Sequence, residues 1–248
     1  MTLLLCLSHE RKPMKIIGTA IDCENGNAFG MDAKKKTMIH WCGLLGIVSF
    51  LSYTVAVIFA PLAYPGYNWM RQAVSDLSAA NAPSFVLWSQ LSSLYGVAGI
   101  ACMMMVCVAI KGKLNKPLRF GMYLFSLMFW VSTVGFSAFP LSESGIGGAT
   151  QQDTMHLVVT GLVVMLSIAS LCLIMVGGYR KKRFVSLAVC ATIALTLMFI
   201  GAIGTGVAPP EYFGVFQRFS NLISANGFLA TLGIYLFAGK LDDCDNAV

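Results

Sequence analysis

The chain has 248 residues, of which 57% are hydrophobic and only 11% are charged, and its formal net charge is +6. A soluble domain usually carries about 25% charged residues, so this chain has too few to cover a water-exposed surface. The composition therefore excludes a soluble globular domain and indicates an integral membrane protein. In such a protein the excess of basic residues indicates orientation in the membrane, and we expect no nucleic-acid partner.

Six long apolar runs follow one another along the chain. A helix rises ~1.5 Å per residue, so about 20 apolar residues cross the ~30 Å hydrocarbon layer of a bilayer. The runs do not alternate apolar with polar residues, which excludes a transmembrane β-barrel. The predicted fold class is all-α, a polytopic integral membrane protein with a bundle of six transmembrane helices. These helices are predicted over residues 39–61, 85–110, 118–140, 154–177, 184–206 and 215–238.

Lysine and arginine are distributed unequally between the two sides of this predicted bundle. Of the 17 basic residues, all but Arg71 and Arg218 lie in the N-terminal segment, the second loop, the fourth loop or the C-terminal tail, which share one side. The positive-inside rule then predicts that both termini are cytoplasmic and that Arg71 and Arg218 lie near the outer surface. The predicted location is the plasma or inner membrane of a cell, with membrane lipids as partners.

The two ends of the chain differ in composition from the apolar middle. Residues 1–38 are too polar and glycine-rich to bury a core, so we expect a disordered cytoplasmic tail or a segment upstream of a start at Met31. The six-helix transmembrane domain is expected over residues 39–238. Residues 239–248 are expected to form a short cytoplasmic tail.

Helix four is predicted to begin with a polar turn at the outer side. Asp153 and Thr154 are predicted to cap its N-terminus. His156 follows Asp153 by three residues, so both side chains lie on one helix face and Asp153 could orient or charge the imidazole.

The first outer loop contains Arg71 in a polar and aromatic stretch. If residues 69–78 form a short interfacial helix, Arg71 pairs with Ser75 and Gln72 pairs with Asp76, because each pair is four residues apart. We predict that this loop forms the first wall of an outward-facing polar pocket.

Helix six contains an unusual number of polar residues. Gln217, Asn221 and Ser224 recur at helical spacing, so they are predicted to form one stripe beside Arg218. Polar side chains within the hydrocarbon layer usually face the interior of a bundle or a water-filled cavity. The stripe is therefore predicted to face inwards.

These residues suggest a site for an anionic group such as a phosphate or a carboxylate. In this interpretation Arg71 and Arg218 bind the anion and His156 acts as an acid or base; the alternative is that the same residues form salt bridges between hairpins. A metal hydrolase needs several converging ligands, and His156 is the one histidine predicted outside, so no metal and no cofactor is predicted. The candidate catalytic residue is His156, and the candidate ligand-binding residues are Arg71, Ser75, Asp76, Asp153, Gln217, Arg218 and Asn221.

Three short motifs occur in order along the chain: Pro65-Gly66-Tyr67, Arg71 and Val74-Ser75-Asp76-Leu77-Ser78; Phe139-Pro140 before His156-Leu157; and Gly214-Val215-Phe216-Gln217-Arg218-Phe219. Over about residues 39–238 they resemble the bacterial and archaeal membrane-protein family called domain of unknown function 998. The resemblance implies a six-helix bundle and no established reaction. The family typically has an aspartate shortly after the Phe-Pro, where this chain has Leu141-Ser142-Glu143, so any role of that acid would fall to Glu143.

Three functions remain open at this stage. The first is binding or transport of a small anion or a lipid headgroup. The second is a membrane enzyme that acts on a lipid-linked substrate with His156 as general acid or base. The third is a non-catalytic accessory subunit, whose protein partners the sequence does not identify.

Overall fold

The computed structural model describes residues 36–145 and 150–242, and within these ranges six helices are long and apolar enough to cross a membrane. The predicted all-α, six-helix fold is confirmed. The largest boundary difference is in the sixth helix, which begins at Pro210 and not at residue 215. The helices are α1 (Met38–Ala63), α2 (Phe85–Ala109), α3 (Lys116–Ala138), α4 (Gln151–Tyr179), α5 (Lys182–Val207) and α6 (Pro210–Phe237). The predicted tails lie outside the described residues up to residue 35 and from residue 243.

The apolar residues of the helices divide into a packed interior and a lipid-facing exterior. Phe125 of α3 and Phe228 of α6 are buried and meet edge to face with ring centroids 5.3 Å apart. Side chains such as Val97 and Val207, in contrast, point away from the bundle and are 73% and 78% exposed. Hydrocarbon tails would cover these outward faces in a bilayer.

Both ends of the described chain lie on the same face of the bundle. The carboxylate of Asp242 is 2.5 Å from Nε2 of His40 at the start of α1, and 4.0 Å from Nζ of Lys113 in the α2–α3 loop. Nδ1 of His40 accepts the backbone N–H of Thr37, so the imidazole proton sits on Nε2 and is donated to Asp242. We call the opposite face, where the α1–α2, α3–α4 and α5–α6 loops lie, the distal face.

Helix α6 changes its geometry along its length. It consists of a 3₁₀ turn (Pro210–Tyr212), an α-helical segment (Phe213–Arg218), a π-helix (Phe219–Asn226) and a longer α-helical segment (Gly227–Phe237). A π-helix has wider turns than an α-helix, so side chains beyond Arg218 leave the α-helical register. The π-helix lies directly below the polar end of α6 at the distal face.

Candidate functional site

A cleft with a volume of about 840 Å³ opens at the distal face among the α1–α2 loop, the α3–α4 loop, α4 and α6. We call it the distal cleft. Its wall is partly apolar, with Leu141, Leu157 and Phe213 among the lining residues. Five of the predicted site residues also line it: Arg71, Ser75, Asp76, His156 and Gln217. The structure therefore brings together residues from the first loop, α4 and α6, as the sequence motifs suggested.

His156 projects from the first turns of α4, and its ring is held by a single polar contact. Nδ1 lies 2.8 Å from the carbonyl oxygen of Phe139 at the end of α3. A carbonyl oxygen only accepts, so Nδ1 carries the proton and donates it. In the neutral ring Nε2 is then an acceptor, and it makes no hydrogen bond with a described residue, although the side chain is buried. His156 thus presents a basic nitrogen to the distal cleft.

The predicted pairing of Asp153 with His156 is wrong. Asp153 is completely buried, and its carboxylate accepts the backbone N–H and hydroxyl of Ser142 and those of Thr150, at 2.7–3.1 Å. Thr150 in turn accepts the N–H of Asp153, so Thr150 is the N-cap and Asp153 the third residue of a capping box. The predicted cap at Asp153 and Thr154 is therefore also wrong. Asp153 itself lies outside the lining of the distal cleft, and its hydrogen bonds fix the conformation of the α3–α4 loop.

Arg71 is the free cation of the distal cleft. Its side chain is exposed, and among the residues that the structure describes it makes no hydrogen bond, ion pair or ring contact. Since arginine carries a positive charge in proteins, the cleft contains a cation with which no described residue forms an ion pair.

Gln217 supplies a second donor to the distal cleft. Its Oε1 accepts the backbone N–H of Val74 at 2.7 Å. A backbone N–H only donates, so this bond fixes the orientation of the amide and leaves Nε2 as the group available to a ligand. Val74 itself is buried and packs against Tyr53 and Val57, so the loop at this point is anchored on both its polar and its apolar side.

Asp76 joins the two loops that border the distal cleft. Its carboxylate oxygens accept the backbone N–H groups of Ala73 and Gly145, both at 3.0 Å. The side chain is 5% exposed and no described cation pairs with it. Each oxygen accepts one of these N–H groups and retains capacity to accept a second hydrogen bond.

Arg218 does not line the distal cleft, contrary to the predicted role in ligand binding. It clamps the first loop onto α6: Nη1 donates to the carbonyl oxygens of Trp69 at 2.6 Å and Gly214 at 2.7 Å, and lies 3.3 Å from that of Gln72. Its Nη2 donates to the hydroxyl of Tyr67 at 2.8 Å. The clamp uses neutral acceptors, so the alternative of salt bridges between hairpins is also wrong for the described residues.

Tyr67 extends this clamp back into its own loop. Its hydroxyl accepts from Arg218 and donates to the carbonyl oxygen of Ala73 at 2.8 Å. Burial raises the pKa of Tyr67, and the nearby Arg218 charge opposes that rise. The phenol therefore remains protonated and can donate and accept at once.

The backbones at the clamp approach too closely for any side chain on Gly214. A Cβ there would overlap the carbonyl oxygens of Gln72 and Trp69. In addition, the N–H of Val215 donates to the carbonyl oxygen of Met70 at 3.2 Å. Glycine at position 214 is thus a requirement for docking the loop on α6.

The first loop is not the short helix predicted over residues 69–78. It consists of turns followed by a 3₁₀ helix over Ser75–Ser78. The side chain of Gln72 accepts the N–H of Asn68, and that of Asp76 accepts the N–H of Ala73, so the predicted Gln72–Asp76 pair does not form. Backbone groups of the turns compete successfully for these side chains.

The predicted stripe on α6 is divided among three neighbours. Gln217 binds the first loop, Asn221 donates to the hydroxyl of Tyr53 in α1 at 2.9 Å, and Ser224 donates to the carbonyl oxygen of Ala194 in α5 at 2.7 Å. The stripe faces the interior as expected, but Asn221 lies beneath the distal cleft and not in its wall.

Other candidates do not extend the site. Glu143 is exposed and lies outside the lining of the distal cleft. A second groove of about 490 Å³, between α5 and α6, is lined by apolar residues and Thr196 and contains no charged side chain. Within residues 36–145 and 150–242, no three side chains of the metal-binding types come together.

The sequence interpretation missed three residues of this architecture: Tyr67, Thr150 and Gly214. Thr150 was detectable, because Thr-x-x-Asp before an apolar run is a capping-box signal. Tyr67 and Gly214 belong to the quoted motifs, but nothing in their spacing indicates that they form a clamp.

The helices and the distal cleft together define a multi-pass membrane protein of the six-helix type. A family model described as "Protein of unknown function (DUF998)" matches residues 47–235, so the chain belongs to this family. The resemblance drawn from the motifs is therefore confirmed. The comparison with curated proteins and the comparison with solved structures each found no match.

Proposed function

We propose that this protein binds an anionic headgroup, or a small anion of the same chemistry, in the distal cleft. The observation that carries this proposal is the uncompensated guanidinium of Arg71 in the wall of a cleft large enough for a headgroup. The planar fork of N–H donors on arginine matches the oxygens of a phosphate or carboxylate. Nε2 of Gln217 provides a further donor in the same cleft.

The mixed character of the wall favours a lipid headgroup. Leu157 is 54% exposed and Phe213 is 38% exposed, and both border the distal cleft beside the polar residues. Apolar residues at the edge of a headgroup site would contact the glycerol and the first methylenes of a lipid, which removes apolar surface from water. Membrane lipids are therefore the proposed partners.

We propose that the distal face lies on the outer side of the cell membrane and that both chain termini lie in the cytoplasm. All basic residues except Arg71 and Arg218 belong to segments on the other side of the predicted bundle, and the positive-inside rule assigns that side to the cytoplasm. The ligand would then reach the cleft from the outer leaflet or from the external medium.

The test is the affinity of the purified protein for a short-chain phosphatidylglycerol, measured by calorimetry in detergent for the wild type, Arg71→Gln and Arg180→Gln. Loss of one charge-assisted contact should weaken binding of Arg71→Gln about 10- to 100-fold. Arg180 is an exposed arginine at the other end of α4 and serves as the matched control. Unchanged affinity in Arg71→Gln, or an equal loss in Arg180→Gln, would overturn the proposal.

A second candidate function is catalysis on a lipid-linked substrate, and the tautomer of His156 favours it. The bond from Nδ1 to Phe139 leaves Nε2 as the nitrogen that could act as a general base, and His156 lines the cleft. Turnover would then require Nε2 to accept a proton from the substrate or from a water molecule. A His156→Gln variant that binds the lipid normally and has lost turnover would support this candidate; equal turnover in both proteins would exclude it.

A further inference from the structure

We infer that the ligand of the distal cleft carries a hydrogen-bond donor next to its anionic group, as phosphoethanolamine and phosphoglycerol do. This inference rests on the proposed function and narrows the class of ligand. It follows from four of the groups that line the cleft, of which two donate and two accept, beside hydroxyl groups such as that of Ser75 that can do either.

Arg71 and Gln217 are two donating groups of the distal cleft. The guanidinium of Arg71 has no acceptor capacity. The amide of Gln217 could in principle do either, but its oxygen is occupied by the N–H of Val74, so Nε2 donates to the cleft. These two groups suit the oxygens of a phosphate.

The accepting groups are His156 and Asp76. In the neutral ring of His156, Nε2 is an acceptor because Nδ1 carries the proton that is donated to the carbonyl oxygen of Phe139. The carboxylate of Asp76 is a pure acceptor when ionised, and its partners among the described residues are two backbone N–H groups and no cation. A buried carboxylate without a cationic partner favours a ligand that brings N–H or O–H groups, and most of all an ammonium group.

A phosphodiester without a further donor would satisfy only two of these four groups. Its oxygens would bind Arg71, but they would also face Asp76 and Nε2 of His156, which offer an anion no hydrogen bond. A headgroup that adds an ammonium or a hydroxyl satisfies both sides. A choline headgroup has the positive charge but no N–H, so it cannot donate to His156 or Asp76.

A series of lipids that differ only in N-methylation tests this inference without changing the protein. The protein in detergent is titrated with short-chain phosphatidylethanolamine, its N-methyl and N,N-dimethyl derivatives, and phosphatidylcholine. We expect affinity to fall along the series, with phosphatidylcholine about tenfold weaker than phosphatidylethanolamine. Equal affinities for the two end members would overturn the inference.

Two variants of His156 test whether this residue accepts the hydrogen bond from the donor of the ligand. His156→Gln keeps an acceptor oxygen, whereas His156→Leu removes the acceptor. His156→Leu should reduce the preference for phosphatidylethanolamine over phosphatidylcholine several-fold, and His156→Gln should retain most of it. If either variant does not fold, the lipid series on the wild type decides alone. An unchanged preference in a folded His156→Leu would remove His156 from the accepting groups.

Two further measurements separate the inference from the proposed function and identify the source of the ligand. If phosphatidylethanolamine and phosphatidylcholine bind equally and the binding of both lipids requires Arg71, the inferred preference for a donor is wrong but the proposed anion site is supported. If Arg71→Gln binds every lipid as the wild type does, the anion site itself fails. Soluble phosphoethanolamine that competes as well as its lipid identifies a free small molecule; no competition identifies the lipid.

Discussion

Arg218 donates to the carbonyl oxygen of Trp69 at 2.6 Å, and this bond joins α6 to the first loop, which connects α1 and α2. Two further carbonyl oxygens and the hydroxyl of Tyr67 surround the same guanidinium. Arg71 lies close by in that loop and makes no polar side-chain contact with any described residue. Two arginines that are equivalent in a topology diagram therefore differ in function: one holds the loop, and the other is available to a ligand.

This difference predicts opposite outcomes for one substitution at the two positions. Arg218→Gln should destabilise the protein by about 1.5–3 kcal/mol, because it removes charge-assisted bonds and leaves carbonyl oxygens of the loop unpaired. Arg71→Gln should leave stability unchanged within about 0.5 kcal/mol. Thermal unfolding of each variant in detergent, with the remaining folded protein quantified by size-exclusion chromatography, compares the two stabilities. Equal losses in the two variants would contradict the assignment of roles.

Gly214→Ala should destabilise the docking of the loop on α6. The added methyl group would overlap the carbonyl oxygens of Gln72 and Trp69, so helix and loop must separate at a cost of about 1–3 kcal/mol. Gly206→Ala in α5 is the control, because a Cβ there meets no atom within 4 Å. The midpoint of thermal unfolding should fall for Gly214→Ala and not for Gly206→Ala. A Gly214→Ala protein as stable as the wild type would show that the loop is not tightly docked.

Asp153→Asn should loosen the α3–α4 loop. The buried carboxylate accepts from Ser142 and Thr150, and either orientation of an amide would place its NH2 group against a backbone N–H, that of Ser142 or that of Thr150, at a cost of about 1–3 kcal/mol. Limited proteolysis should cut this loop faster in Asp153→Asn than in the wild type. Glu143→Gln, an exposed carboxylate in the same loop, should behave like the wild type. Unaltered proteolysis in Asp153→Asn would contradict the structural role.

The orientation of the bundle is a separate prediction that reporter fusions test. A fluorescent protein fused to the C-terminus should fluoresce, and alkaline phosphatase fused there should be inactive, because both ends are predicted to be cytoplasmic. Alkaline phosphatase inserted in the α3–α4 loop should be active. The reverse pattern would place the distal cleft in the cytoplasm.

The helices could be predicted from the sequence because crossing a bilayer imposes both length and composition. The apolar run 85–110, for example, corresponds to α2 at Phe85–Ala109. The start of α6 was less predictable, since Pro210–Tyr212 is a 3₁₀ turn that contains Glu211 and does not resemble a membrane segment. Nothing in the residue types indicates the π-helix over Phe219–Asn226, which depends on how α6 packs against its neighbours.

The site could be predicted only in part, because a sequence shows which residues are charged but not which partners they find. Topology placed Arg71, His156 and Gln217 at one face, and the structure places all three in the lining of one cleft. The partners of Asp153 were not predicted because two loop residues, Thr150 three residues before it and Ser142 eleven residues before it, compete with a histidine three residues along the helix. Whether the cleft binds an anion remains a prediction.

An experimentally determined structure of the protein in phosphatidylethanolamine nanodiscs tests the central claim most directly. We expect density for a phosphate within hydrogen-bond distance of the Arg71 guanidinium and Nε2 of Gln217. Arg218 should keep its hydrogen bonds to the first loop. A distal cleft without headgroup density, with the Arg71 guanidinium paired to Asp76, would contradict it.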